Sequence, residues 1–92
     1  MPHRRYRSVV KHAGEAALDR LEQLLDQLRQ VPGLVERKRG VFYKRSRAVL
    51  HFHEDPTGLY ADVRIGSDFE RLRVVSDRER RKLLERVRGV SE

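Results

Sequence analysis

Two histidines separated by one residue, His51 and His53, precede Asp62 in this sequence. Imidazole and carboxylate groups are ligands of Zn²⁺ and of non-haem iron in proteins. The same three groups could instead perform general acid–base chemistry, with the carboxylate orienting an imidazole. Both interpretations require the three side chains to lie on one surface, so they depend on the local secondary structure.

The segment Ala48–Ile65 predicts a β-hairpin that would bring these side chains together. Apolar and polar residues alternate on both sides of a central Asp-Pro-Thr-Gly sequence, which supplies the turn. If the strands close directly on this turn, His51 faces Asp62 and His53 faces Tyr60. The apolar residues of both strands then lie on the opposite side.

A further strand is predicted at Val41–Arg45, before the hairpin. A two-residue turn at Ser46-Arg47 would place Phe42 opposite His51, and Tyr43 among the apolar residues. The preceding segment, Leu34–Gly40, is either a short strand or a charged connector.

A fourth strand is predicted at Phe69–Val75, after a turn at Gly66-Ser67-Asp68. Pairing Ile65 with Glu70 would place Arg73 opposite Asp62. The polar face, meaning the side of the sheet that carries the two histidines and Asp62, would then hold nine candidate binding residues: Phe42, Lys44, His51, His53, Tyr60, Asp62, Arg64, Arg71 and Arg73.

Two amphipathic helices flank the predicted strands. A stripe of leucines predicts a helix that begins near Val9 or Glu15 and ends at Gln30. Ser76 to Glu79 fits a capping box, and the helix that follows extends to about Arg88. The expected fold is therefore α+β, a four-stranded antiparallel meander with both helices on one face and the order αββββα.

Length and composition limit the classes of protein to which this sequence can belong. The 92 residues suffice for a single domain, with residues 1–8 predicted to be a flexible basic arm. The sequence has no cysteine and no apolar run long enough to span a membrane, which favours a cytoplasmic protein. The net charge of +7 favours acidic partners such as nucleic acid.

Four functional interpretations of the polar face stay open from the sequence. The first is a binding or interaction module that forms a homodimer across this face. The second is a nucleic-acid-binding module, with Phe42 and Tyr60 stacking on bases and basic side chains on phosphates. The third is a metal-dependent or His/Asp-based enzyme centred on His51, His53 and Asp62. The fourth is an ordinary solvated strand surface. No cofactor site is predicted.

The run from Val31 to Arg64, with Val-Pro-Gly after a leucine-rich helix and then His-x-His, resembles small bacterial conserved hypothetical proteins of the luciferase-domain type. In that family the matching hairpin carries His-x-His and a downstream Asp. The corresponding positions here are His51, His53 and Asp62. The resemblance implies that the hairpin is a family feature whose function is unassigned, and it implies no light-emitting chemistry.

Overall fold

The computed structural model describes residues 11–91 of the chain, with side chains from 12 to 89. The predicted basic arm at residues 1–8 lies outside this range. The fold is α+β, with the following elements in chain order: β1 (Lys11–His12), α1 (Glu15–Arg20), α2 (Glu22–Arg29), β2 (Leu34–Lys38), β3 (Val41–Lys44), β4 (Arg47–Asp55), β5 (Gly58–Ile65), β6 (Asp68–Arg73) and α3 (Asp77–Ser91).

The sheet is an antiparallel meander in the order β2-β3-β4-β5-β6, and β1 pairs with β4. The prediction of four strands is therefore wrong, because the segment left open as a strand or a connector forms β2. Charged residues are tolerated there because β2 is an edge strand of the meander. Its turn to β3 is closed by Gly40 at a φ of 81°, whose amide donates to the Glu36 carboxylate.

The register of the central hairpin is confirmed. His51 pairs with Asp62 and His53 with Tyr60, while Phe52 pairs with Ala61 on the other side of the sheet. The backbone amide of Thr57 and its hydroxyl both donate to the Asp55 carboxylate, which holds the turn. Turn chemistry and alternation together specify one register here.

The predicted pairing of β3 with β4 is wrong. Phe42 pairs with Leu50 rather than with His51, because a β-bulge lies between the Phe42 and Tyr43 positions. The turn consists of Arg45-Ser46, one residue earlier than predicted, with Arg45 at a φ of 61°. One extra residue on β4 at this point reverses which side chains of β3 point towards the core. Phe42 is consequently fully buried in the core.

The pairing of β5 with β6 differs from the prediction by two residues. Asp62 pairs with Arg71, and Ile65 pairs with Asp68 across a two-residue turn. Gly66 has a φ of 65°, the positive value that a tight hairpin turn requires at its first position. A shift of two preserves the faces, so Arg71 and Arg73 remain on the same side as Asp62.

The helices cover the other side of the sheet with an apolar core. The predicted leucine stripe is buried, although the helix is divided at Leu21, where α1 ends and α2 begins. Leu21 itself is fully buried, and its carbonyl still accepts from the Leu25 amide at 2.9 Å. The core combines these helices with β2–β5 and α3 through buried apolar residues: Leu18, Leu24, Leu25, Leu28, Leu34, Leu50, Phe52, Ala61, Val63, Leu83, Leu84 and Val87.

The predicted capping box at the start of α3 is confirmed. The Ser76 hydroxyl accepts from the Glu79 amide at 3.1 Å, and the Glu79 carboxylate accepts from the Ser76 amide at 2.9 Å. The carboxylate also accepts from the Val75 amide and from Arg73. Among the helices that the structure describes, none is long and apolar enough to cross a membrane.

Replacing Phe42 with Ala should lower the free energy of unfolding by about 3–5 kcal/mol, because a fully buried aromatic ring is removed. Tyr43→Ala, the control on the neighbouring residue, should cost only about 1 kcal/mol, since the half-buried Tyr43 ring contacts Arg37. Urea unfolding measures both. A larger loss for Tyr43→Ala would contradict the bulge and restore the register expected from the sequence.

Glu79 should contribute stability that depends on pH. Backbone hydrogen bonds from Ser76, with Arg73 nearby, lower the pKa of Glu79 to about 2 from an ordinary value of 4.5. A lowered pKa means that the contribution is complete above pH 4.5 and is lost as the pH falls towards 2. Urea unfolding of the wild type and Glu79→Gln should therefore differ at pH 7 and converge near pH 2. A difference that does not change with pH would refute this assignment.

Candidate metal centre on the polar face

Three histidines from two neighbouring strands meet on the polar face. His51 and His53 lie two residues apart on β4, so both side chains point to the same side of the sheet. His12 lies on β1, where its backbone pairs directly with His53. The β1 segment is held in place by the Ala13 amide, which donates to the Phe52 carbonyl at 3.1 Å. A further bond joins the Gly14 amide to the Glu54 carboxylate at 2.7 Å.

The imidazoles of these residues lie close enough to share one ion. A ligand nitrogen from each of His12, His51 and His53 lies within 4.8 Å of the other two. His53 Nε2 is 3.0 Å from His51 Nδ1. Nitrogens bound to one tetrahedral Zn²⁺ at the usual bond length are about 3.4 Å apart, so the most separated pair would have to approach by no more than about 1.4 Å.

Asp62 completes the cluster from the neighbouring strand. Its Oδ2 is 2.9 Å from His53 Nε2, and the two side chains are each 12% exposed. Arg71, directly opposite on β6, donates to both carboxylate oxygens at 2.7 and 2.9 Å. This bidentate pair fixes the carboxylate in a single orientation beside the histidines.

The electrostatics favour a neutral His51 beside an ionised Asp62. Burial lowers the pKa of His51; the Asp62 charge opposes this, and His53 and His12 reinforce it. Burial acts to raise the pKa of Asp62, but the hydrogen bonds and charge of Arg71 outweigh it, so this pKa lies below its usual value. Neutral imidazole and ionised carboxylate are the forms that bind metal ions.

Most of the predicted candidate residues lie where the sequence placed them. His51, His53, Tyr60, Asp62, Arg64, Arg71 and Arg73 lie on the polar face. Two do not: Phe42 is in the core, and Lys44, two residues further along β3, shares its side of the strand and pairs with Leu34. The bulge that moves Phe42 therefore moves Lys44 as well.

Two residues of the polar face were missed by the sequence analysis. His12 joins the cluster by pairing with His53, about forty residues further along the chain, and such a contact leaves no local periodic pattern. Phe69 was included in a predicted strand but not among the candidates, although its ring lies 5.2 Å from that of His51 and the residue is 42% exposed. Only the shift of two residues in the β5–β6 register brings Phe69 opposite Arg64.

Comparison with family models, curated proteins and solved structures found no match to this chain. The geometry of the polar face is thus the basis for assigning a function.

Replacing Asp62 with Asn should lower the free energy of unfolding by about 1–2 kcal/mol, because the charge that pairs with Arg71 and His53 is lost. Asp68→Asn, at an exposed position on β6, should change it by less than about 0.5 kcal/mol. Chemical denaturation at pH 7 measures both. Equal losses for the two variants would show that Asp62 has no special role.

Proposed function

We propose that this protein binds a divalent transition-metal ion, with Zn²⁺ as the best match, through His12, His51 and His53. The observation that carries the proposal is the approach of three imidazole nitrogens from two strands to within 4.8 Å. A set of three nitrogen donors beside a carboxylate, without sulfur, suits zinc and its neighbours in the first transition row rather than Mg²⁺ or Ca²⁺.

The arrangement of charges around the cluster supports a cation at this position. From the sequence alone, the arginines of β5 and β6 would repel a metal ion. In the structure Arg71 is neutralised by Asp62, and Arg73 pairs with Glu79 at 3.1 Å. Arg64 is directed to the carbonyls of Ala48 and Ser67. Because two of these three arginines are paired with carboxylates, the local positive charge is smaller than the number of arginines suggests.

A bound metal ion would have a position available for water or for a substrate oxygen, since three histidines fill only three of its four sites. In that position the ion would act as a Lewis acid or lower the pKa of bound water. Asp62 Oδ2 lies 2.9 Å from His53 Nε2, so the carboxylate would place a negative charge beside the ion and favour binding of a cation. The two described serines between strands, Ser46 and Ser67, lie in turns and are not placed as nucleophiles.

Isothermal titration of the untagged protein with Zn²⁺ at pH 7.5 should give one ion per chain. His12→Ala and His51→Ala should each weaken binding at least tenfold, since each removes one of three ligands. A saturating ion should raise the free energy of unfolding by about 2.7 kcal/mol at one hundred times the dissociation constant. Substitution with Co²⁺ should give the intense visible bands of a tetrahedral site.

Tyr60→Phe is the matched control for this titration. Tyr60 pairs with His53 on the same face, but its hydroxyl bonds to Thr57, so metal affinity should be unchanged. Binding that survives both histidine variants, or that requires more than one ion per chain, would refute the proposed centre.

The partner predictions from the sequence remain predictions alongside this proposal. A homodimer would be detected by light scattering coupled to size exclusion, and Val35, 53% exposed on the edge strand β2, is the described apolar side chain best placed for such a contact. A cytoplasmic location likewise rests on the absence of cysteine from the sequence.

A further inference from the structure

A second cluster of functional groups lies at the end of the sheet where two turns meet. The β3–β4 turn and the β5–β6 turn are neighbours there, and between them is a pocket of about 280 Å³. Four of its six lining residues are basic, namely Lys44, Arg45, Arg47 and Arg64, and the other two are Val49 and Gly66. Four cationic side chains around one small volume create a positive potential that attracts anions.

The arginines of this pocket differ from the arginines of β6, which pair with carboxylates. Arg71 and Arg73 both contact carboxylates elsewhere in the sheet. Within the part of the chain that the structure describes, no carboxylate forms an ion pair with Arg45, Arg47 or Arg64. Arg64 donates hydrogen bonds to the Ala48 and Ser67 carbonyls, but these are neutral and leave its charge uncompensated, so the pocket concentrates the positive charge of three arginines.

The backbone of Arg45 points to the same conclusion. Its φ of 61° lies in the left-handed region, where glycine or asparagine is favoured and a long side chain is strained. Tight turns elsewhere in this sheet use glycine at such positions, as Gly40 and Gly66 show. An arginine at a position that favours glycine is consistent with a role for its side chain, since strained residues cluster at functional sites.

An aromatic surface adjoins the pocket. The Arg64 guanidinium lies 4.6 Å from the centre of the Phe69 ring, and the other neighbour of that ring is His51. Phe69 is one of two large hydrophobic residues that are exposed in the described structure. An exposed ring held by an arginine beside a basic pocket is the combination that binds a base together with its phosphate.

We propose that this end of the sheet binds a nucleotide, with the phosphate in the pocket of Arg45, Arg47 and Arg64 and the base on Phe69. The net charge of +7 is consistent with a nucleotide that belongs to a single-stranded nucleic acid, although a free nucleoside phosphate presents the same chemistry. The site is distinct from the metal centre and does not require an ion there.

Fluorescence anisotropy with a labelled eight-nucleotide RNA, in EDTA and at increasing salt, tests this proposal. The wild type should bind at low salt, and Arg45→Gly combined with Arg47→Ala should weaken binding at least tenfold. This double variant should also reduce the slope of log affinity against log salt by about 1.4, because two charge contacts to phosphate are lost and each contributes about 0.7 on a single strand. Arg45→Gly relieves the strained turn, so the variant should fold. Phe69→Ala should weaken binding about tenfold without changing the slope.

Arg20→Ala combined with Arg88→Ala is the matched control, since it removes the same charge from exposed positions on α1 and α3. The proposal is overturned if this control weakens binding as much as the pocket variant, or if the wild type binds neither RNA nor adenosine monophosphate at low salt. Competition by adenosine monophosphate at concentrations comparable to those of RNA nucleotides would identify a free nucleotide as the ligand, and its failure would identify a strand. EDTA keeps this outcome separate from that of the zinc titration.

Discussion

The pairing of β4 with β5 is the constraint on which both the core and the candidate metal centre depend. Because side chains alternate along a strand, Leu50 and Phe52 can lie in the core only if His51 and His53 lie on the polar face. A slip of one residue would bury two imidazoles and expose the apolar side chains. The energy that stabilises the core therefore also fixes the positions of the histidines.

The sequence predicted this central hairpin correctly because two independent signals agreed on it. Alternation gave the faces, and the Asp-Pro-Thr-Gly turn gave the register. The β3–β4 pairing was predicted incorrectly because a bulge leaves no clear mark in a pattern of period two. Tyr43 and Phe42 are both aromatic, so either could have occupied the core. The β5–β6 register was also predicted incorrectly, because Gly66 is compatible with turns of two or of three residues.

The candidate centre was predictable in part for the same reasons. His51, His53 and Asp62 are adjacent as expected, since they belong to the hairpin. His12 joins them through a pairing across about forty residues of sequence, and no local pattern encodes such a contact. Asp62 was expected to face Arg73, but it is Arg71 that holds its carboxylate. A difference of two residues in register thus changes which arginine pairs with Asp62.

Acidic and basic side chains are unevenly distributed over the molecule. Arg29 contacts Glu22, Asp26 and Glu36, and Arg39 contacts Glu15, Asp19 and Glu22. Four of these six ion pairs join α1 or α2 to β2 or to the β2–β3 turn, and the other two lie within α2. By contrast, the pocket between the turns at Arg45 and Gly66 has no acidic residue in its described lining. The arginines of these turns are therefore not balanced by an acid of the pocket lining.

The attachment of β1 to β4 has a consequence for how the proposed metal centre can assemble. Within the described residues, β1 is attached to β4 by two backbone pairs and the bonds of Ala13 and Gly14. The β4–β5 hairpin, by contrast, is held by six residue pairs and by the core. Local unfolding should therefore release β1 well before the hairpin opens. His12 would then leave while His51, His53 and Asp62 stay assembled, so an ion bound at the proposed centre would lose one ligand, and its residence time would shorten, without loss of the fold.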